Sequence, residues 1–294
     1  MSSSRSSESG ASSGAWRALP LGRRTLIIGV INVTPDSFSG DGVGDDPGRA
    51  CELGLRLVEA GADVLDVGGE STRPGAEPVR QEQEIRRVVP AISALRRTVD
   101  VPLSVDTMKS AVARAALEAG ACIVNDVSGL RADVGVARAA GEHGAALILG
   151  HWARKEWNTG LSRQVDVISQ VRSQLSEAVG WAEQLGVDRE QIWVDPGLGF
   201  GKQLETTLVL MRRLSELVAL EYPLAVGPSR KGFIGRVLGS DPTQDWEGAA
   251  ALVSLAIAAG VHAVRVHDVG RLALVAHMAD GMVAARTAGT PGVV

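Results

Sequence analysis

Three cations near the end of the chain, Lys231, Arg265 and His267, form a set that could hold a phosphate group. A guanidinium grips phosphate oxygens in a two-point fork, and an ammonium adds a point charge. Arg265 and His267 are two residues apart, so an extended strand points both to one side. Backbone N–H groups around residues 229–232 would add donors where a helix starts there. Asn32 offers a neutral oxygen that could share a Mg²⁺ with the same phosphate, because Mg²⁺ keeps several waters and takes few protein ligands. A second set, Asp106, Asn125 and Asp195, has the opposite character. Carboxylates repel phosphate, whereas two carboxylates and an amide suit a flat heterocycle with many N–H donors. Together the two sets point to an anionic, phosphorylated ligand bearing a nitrogen-rich ring.

The elements that must position these residues are short apolar runs at 26–31, 64–67, 101–105, 121–124, 145–149, 192–194, 223–226 and 263–266. Such runs read as parallel strands covered on both faces. Amphipathic stretches at 49–60, 112–119 and 165–185 read as helices. Gly61, Gly120, Gly144, Gly186 and Gly260 stand where a helix can close in the left-handed conformation. About eight strands alternating with helices predict an α/β fold, a single (β/α)8 TIM barrel over residues 21–285. An open doubly wound sheet is the rival, but no strand-linked GxGxxG fingerprint supports it. Composition predicts a disordered Ser/Gly-rich tail over 1–20 and a flexible tail over 286–294.

In such a barrel the catalytic groups lie just past the strands' C-terminal ends. Reading there gives Asn32 to Asp36, then Gly68 to Gly75, Asp106-Thr107, Asn125-Asp126, His151-Trp152, Asp195 to Lys202, Ser229 to Gly232, and Arg265 to Asp268. Each has a bland reading alone. Thr107 could cap a helix, Asp126 could stabilise a turn, and His151 could be a hydrogen-bonded core residue. Polar groups after every strand, with the strands themselves apolar, argue instead for an active site at that rim. Residues 35–46 and 72–79 are rich in Gly, Pro and Asp with little apolar anchorage, and are expected to be mobile loops.

Composition removes several other functions. Lys and Arg number 30 against 34 Asp and Glu, a net charge of −4 that offers no footprint for nucleic acid or an anionic membrane. Cys51 and Cys122 lie in apolar segments and read as reduced core thiols. No GxSxG elbow is present, and neither cysteine ends a strand, so no protein nucleophile is evident. No stretch approaches the roughly 20 apolar residues that span a bilayer. Residues 1–14 lack the apolar core of a signal peptide, and a cytoplasmic location is expected.

The segments INVTPDSFS, DVGGESTRPGA, SVDT, VNDVSG, DPGLGFGK, SRKGFIG and RVHDV resemble, in order and spacing, the signature segments of the dihydropteroate synthases, from about residue 28 to 268. The resemblance implies a transferase of folate biosynthesis. It would condense 6-hydroxymethyl-7,8-dihydropterin pyrophosphate with para-aminobenzoate, giving 7,8-dihydropteroate and pyrophosphate. It implies that Asp106, Asn125, Asp195 and Lys231 hold the pterin ring, that Asn32 binds Mg²⁺, and that Arg265 and His267 bind the pyrophosphate. Lys231, Arg265 and His267 would then be the catalytic set. Thr72, Arg73 and Pro74 in the second loop, Phe38 in the first, Phe200 and the segment after Lys231 would shape the para-aminobenzoate pocket, where sulfonamides compete. A homodimer is implied as well. Two positions depart from the common pattern: Gly150-His151-Trp152 replaces a Met-His-Met-like run, and Gly232 replaces a serine whose hydroxyl meets the aminobenzoate carboxylate. The rivals are a non-catalytic pterin-binding paralogue and a methyltetrahydrofolate-dependent methyltransferase, which needs no pyrophosphate site.

Overall fold

The computed structural model describes residues 14–34, 44, 46–73, 75–157, 159–162, 165–241 and 246–287. Its eight parallel strands are β1 (Leu26–Asn32), β2 (Val64–Gly68), β3 (Leu103–Asp106), β4 (Ile123–Asp126), β5 (Ala146–Gly150), β6 (Ile192–Asp195), β7 (Ala225–Val226) and β8 (Ala263–Val266). They pair in the order β6-β5-β4-β3-β2-β1-β8-β7. A parallel bridge between Val194 and Leu224 joins the two outer strands, so the ring closes. The Val194 N–H donates to the Pro223 carbonyl there at 2.9 Å. This is the (β/α)8 barrel that the sequence predicts.

The outer layer comprises α1 (Pro47–Glu59), α2 (Gln81–Leu95), α3 (Ser110–Glu118), α4 (Gly135–Glu142), α5 (Val167–Gln184), α6 (Leu204–Arg212), α7 (Ser215–Val218), α8 (Gly232–Leu238), α9 (Trp246–Ala258) and α10 (Val269–Thr287). The anticipated stop signals are in place: Gly61, Gly120, Gly144, Gly186 and Gly260 all have positive φ. Asp46 caps α1 by accepting from the Gly48 N–H at 2.8 Å, with Pro47 in the first turn. No helix among the described residues is long and apolar enough to cross a membrane.

Strand alternation divides the core in two. Outward residues such as Ile27, Leu65, Val105, Val124, Leu147, Val194 and Val264 are buried against the helices. Leu26, Ile28, Val64, Ile123, Ala146, Ile148, Trp193, Ala225 and Ala263 form a separate cluster that fills the lower barrel interior. Two residues further along several of these strands, on the same face, the interior positions become Asp66, Asn125, Asp195 and Arg265. The barrel is therefore apolar at its floor and polar towards its mouth.

The packed chain reaches back before residue 21, the boundary suggested by composition. A 3-10 turn at Ala15–Ala18 lays Trp16 against the floor cluster, 6% exposed, and its indole N–H donates to the Gly144 carbonyl at 3.0 Å. Ala15, Leu19 and Leu21 pack against the same cluster, so the segment is held by one large aromatic and its apolar neighbours.

Candidate active site at the barrel mouth

Strand register sets the first row of the site. Asn32, Gly68, Asp106 and Asn125 are successive Cα partners across β1 to β4. A Cβ added at Gly68 would lie 3.5 Å from the Asp106 Cβ and 3.8 Å from the Asn32 Oδ1. The absent side chain thus leaves a gap flanked by an amide oxygen and a carboxyl group. On the other side of the ring, Asp195 ends β6 opposite Gly150 and accepts from the Gly197 N–H at 2.7 Å.

Arg265 enters this layer from β8, bonded on both sides. Its Nε donates to Asp66 Oδ2 at 2.5 Å and its Nη2 to Asp106 Oδ2 at 2.8 Å. The same Asp66 oxygen accepts from Asn125 Nδ2 at 3.1 Å. Asp66 therefore ties together two residues of the expected site, and its own carboxyl is fully buried. Reading only past the strand ends misses it, because it lies inside VLDVG. Two carboxylates thus already balance the Arg265 charge within the barrel.

Burial sets the protonation tendencies. It raises the carboxyls of Asp106 and Asp195, against the pull of Arg265 on the former and of the Gly197 N–H and Lys231 on the latter. It pushes Lys231 down to about 8, with Asp195 opposing. His267 lies well below its ordinary value through burial, then through Arg230, Arg265, Lys231 and Arg73. These four cationic side chains add to burial in favouring the neutral imidazole. The His267 Nδ1 is 3.1 Å from the Ser229 hydroxyl, which also accepts from the His267 backbone N–H at 3.3 Å. Arg230, between Ser229 and Lys231 in the chain, has φ 55, an uncommon value for a residue with a side chain. Helix α8 starts at Gly232, directly after Lys231.

Polar anchors hold the flanking loops. Glu70 accepts from the Val79 N–H at 3.0 Å and pairs with Lys109, which also reaches Glu84 at 2.5 Å. Arg87 donates to the Gly69 carbonyl at 2.8 Å. These bonds pin the stem of the loop carrying the half-buried Thr72 and the exposed Arg73. Pro74, Phe38 and most of the first loop lie outside the described residues. The DPGLGFGK segment wraps round Lys202, whose ammonium donates to the carbonyls of Gly197 at 2.7 Å, His151 at 2.8 Å and Phe200 at 3.3 Å.

Two bland readings hold. His151 is buried, with Nε2 2.5 Å from Gln174 Oε1, and burial lowers it to about 3. Asp126 accepts from the backbone N–H groups of Ser128 and Leu130, each at 2.8 Å. Thr107 is not the helix cap: its Oγ1 accepts from the Lys109 N–H at 3.3 Å, ahead of α3, whose first N–H, that of Ser110, donates to Asp133 instead. As for Gly150, a Cβ there would fall 2.6 Å from Val127 Cα and 2.8 Å from its carbonyl oxygen. No side chain fits at that position without moving backbone.

Sequence and fold both match known proteins. The pattern of the pterin binding enzymes matches residues 28–267. The dihydropteroate synthase of Synechocystis is 43% identical over 263 residues, covering 89% of this chain and 91% of that one. A Clostridium difficile dihydropteroate synthase, solved in the presence of pteroic acid, superposes with a TM-score of 0.84 at 40% identity, covering 90% of this chain and 98% of that one. The Xanthomonas albilineans enzyme, solved with 4-aminobenzoic acid, gives 0.81 at 40% identity, covering 91% and 94%. The chain therefore belongs to the pterin-binding enzymes and, among them, to the dihydropteroate synthase family.

Proposed function

We propose that this chain joins 6-hydroxymethyl-7,8-dihydropterin pyrophosphate to para-aminobenzoate, releasing pyrophosphate. The observation that carries the reading is the pairing of two unlike half-sites in one barrel mouth. Asp106, Asn125 and Asp195 supply acceptors from the ends of β3, β4 and β6, and Lys231, Arg265 and His267 come from β8 and the loops that follow β7 and β8. In the reaction the arylamine nitrogen bonds to the pterin methylene carbon, the bond from that carbon to the diphosphate oxygen breaks, and the amine loses a proton. The pocket carboxylates orient the ring and favour positive charge at the methylene carbon, while Lys231 and Arg265, with the neutral His267 imidazole beside them, favour negative charge on the leaving diphosphate. Thr72, Arg73, Pro74, Phe38 and Phe200 serve the aminobenzoate.

Asn32 fits a share in Mg²⁺, because its amide oxygen borders the gap left by Gly68. The described residues contain no group of three His, Cys, Asp or Glu side chains able to hold a metal alone. The ion would therefore be held jointly by Asn32 and the diphosphate. When bound it neutralises the diphosphate oxygens. The free thiols Cys51 and Cys122 fit a reducing compartment such as the cytoplasm. A homodimer is supported by an apolar face on the last two helices, where Leu255, Leu274, Met278 and Met282 are 61–70% exposed. The last three recur every four residues along α10 and so lie on one side of it.

Calorimetry with two ligands tests this reading. The pyrophosphate-bearing pterin should bind at least about tenfold more tightly than the plain hydroxymethyl pterin, since one charge-assisted contact is worth about 1.5–3 kcal/mol. Equal affinities would remove the diphosphate site and favour the methyltransferase reading.

A further inference from the structure

Phe200 stands in a loop with little stiffness of its own, between Gly199 and Gly201, both at positive φ. Its ring nevertheless has defined neighbours. Lys231 Nζ lies 3.7 Å from the ring centroid. On another side the Trp152 indole packs at 5.2 Å between centroids, tilted by 52°. The Arg154 guanidinium lies 5.1 Å from the Trp152 ring. Backbone bonds hold the same contact in place: the Ala153 N–H donates to the Phe200 carbonyl at 3.1 Å, and Thr159 Oγ1 donates to the Trp152 carbonyl at 2.5 Å. The approach is close enough that a Cβ at Gly201 would lie 3.2 Å from Trp152 Cδ1. Gly150 explains why the bulk is at 152. Two residues earlier on β5, the backbone of Val127 excludes any side chain.

We propose that Trp152 is a positioning residue for the arylamine subsite, fixing the Phe200 ring against Lys231 so that one face of Phe200 remains available to the aminobenzoate ring. The proposal rests on the synthase reading. Tilted aromatic pairs hold orientation through ring quadrupoles, and the ammonium on Phe200 and the guanidinium near Trp152 favour the electron-rich ring faces. Without the indole, Phe200 gains rotamers and must be reordered each time an arylamine binds. In this stack the Phe200 ring stands between Trp152 and Lys231, so pterin affinity should stay nearly unchanged.

The test is steady-state kinetics on the wild type, Trp152→Ala and Trp152→Phe, with pterin pyrophosphate affinity measured by calorimetry. Trp152→Ala should raise KM for para-aminobenzoate about three- to tenfold, the range of one aromatic pair. Pterin pyrophosphate affinity should stay within about twofold, and Trp152→Phe should recover most of the loss. The proposal is overturned if both substrates weaken equally, if aminobenzoate KM is unchanged, or if the phenylalanine variant fails to rescue a folded protein. A wild type that makes no product would overturn the synthase reading itself, and the pterin affinities of the variants would still report whether they fold.

Discussion

At the scale of single residues, the most informative contact is the fork of Arg265 across Asp66 and Asp106. Under the proposed function it gives one guanidinium two duties, holding the interior carboxylates together and presenting charge to the diphosphate. Arg265→Ala should therefore do more than weaken ligand binding. It leaves two buried carboxylates without their cation, a change that costs up to about 3–5 kcal/mol, nearer the lower end because Arg265 is 22% exposed. Arg265→Lys keeps the charge and loses the fork, so it should fold better while still binding diphosphate ligand more weakly than the wild type. Denaturant midpoints and calorimetry on both variants check this, and equal stability of the two would argue against the structural duty. Lys231 predicts a pH effect. Burial lowers it from 10.5 to about 8, so it is charged below that value and neutral above it. Affinity for pterin pyrophosphate should fall as pH rises past about 8, by at most about tenfold per pH unit. Lys231→Arg should shift that fall to higher pH. The sign for stability is opposite: the folded protein holds Lys231 protonated less readily than the unfolded chain, so stability from this group rises between about 8 and 10.5.

At the scale of elements, register does the positioning. Two residues beyond the apolar floor, the same strand faces deliver Asp66, Asn125, Asp195 and Arg265, and the β1–β4 row adds Asn32 and Asp106. Gly150 and Gly232, the two positions at which the sequence resemblance implies a departure from the common pattern, behave oppositely. Gly150→Ala drives a Cβ into the Val127 backbone and should cost about 1–3 kcal/mol in a denaturation experiment. A Cβ at Gly232 meets nothing within 4 Å. Gly232→Ser should leave stability unchanged and lower the KM for para-aminobenzoate about three- to tenfold, the worth of one added hydrogen bond. An unchanged Gly150→Ala or an inert Gly232→Ser would contradict these placements. The eight strands and their helix stops were legible because apolar runs and glycines are local signals. The rim residues were legible because each lies near the C-terminal end of an apolar run or in the loop that follows it. Asp66 was not, since only alternation and register reveal which way an interior strand residue points. The Glu70–Lys109–Glu84 anchor joins residues far apart in sequence, and the seating of Trp16 on the barrel floor depends on Gly144, well over a hundred residues away.

At the scale of the whole molecule, the barrel presents its chemistry at one end and an apolar helical face elsewhere. If that face joins two copies, Met278→Glu should shift the protein to a monomer by sedimentation without changing its fold, and an unchanged mass would place the interface elsewhere. The central claim is that the two half-sites act together as a synthase. The direct measurement is incubation with 6-hydroxymethyl-7,8-dihydropterin pyrophosphate, Mg²⁺ and para-aminobenzoate, with products identified by mass. The account predicts 7,8-dihydropteroate and pyrophosphate in equal amounts, dependent on both substrates. A protein that binds the pterin pyrophosphate yet yields neither product would contradict it, and would instead be a pterin-binding paralogue without turnover.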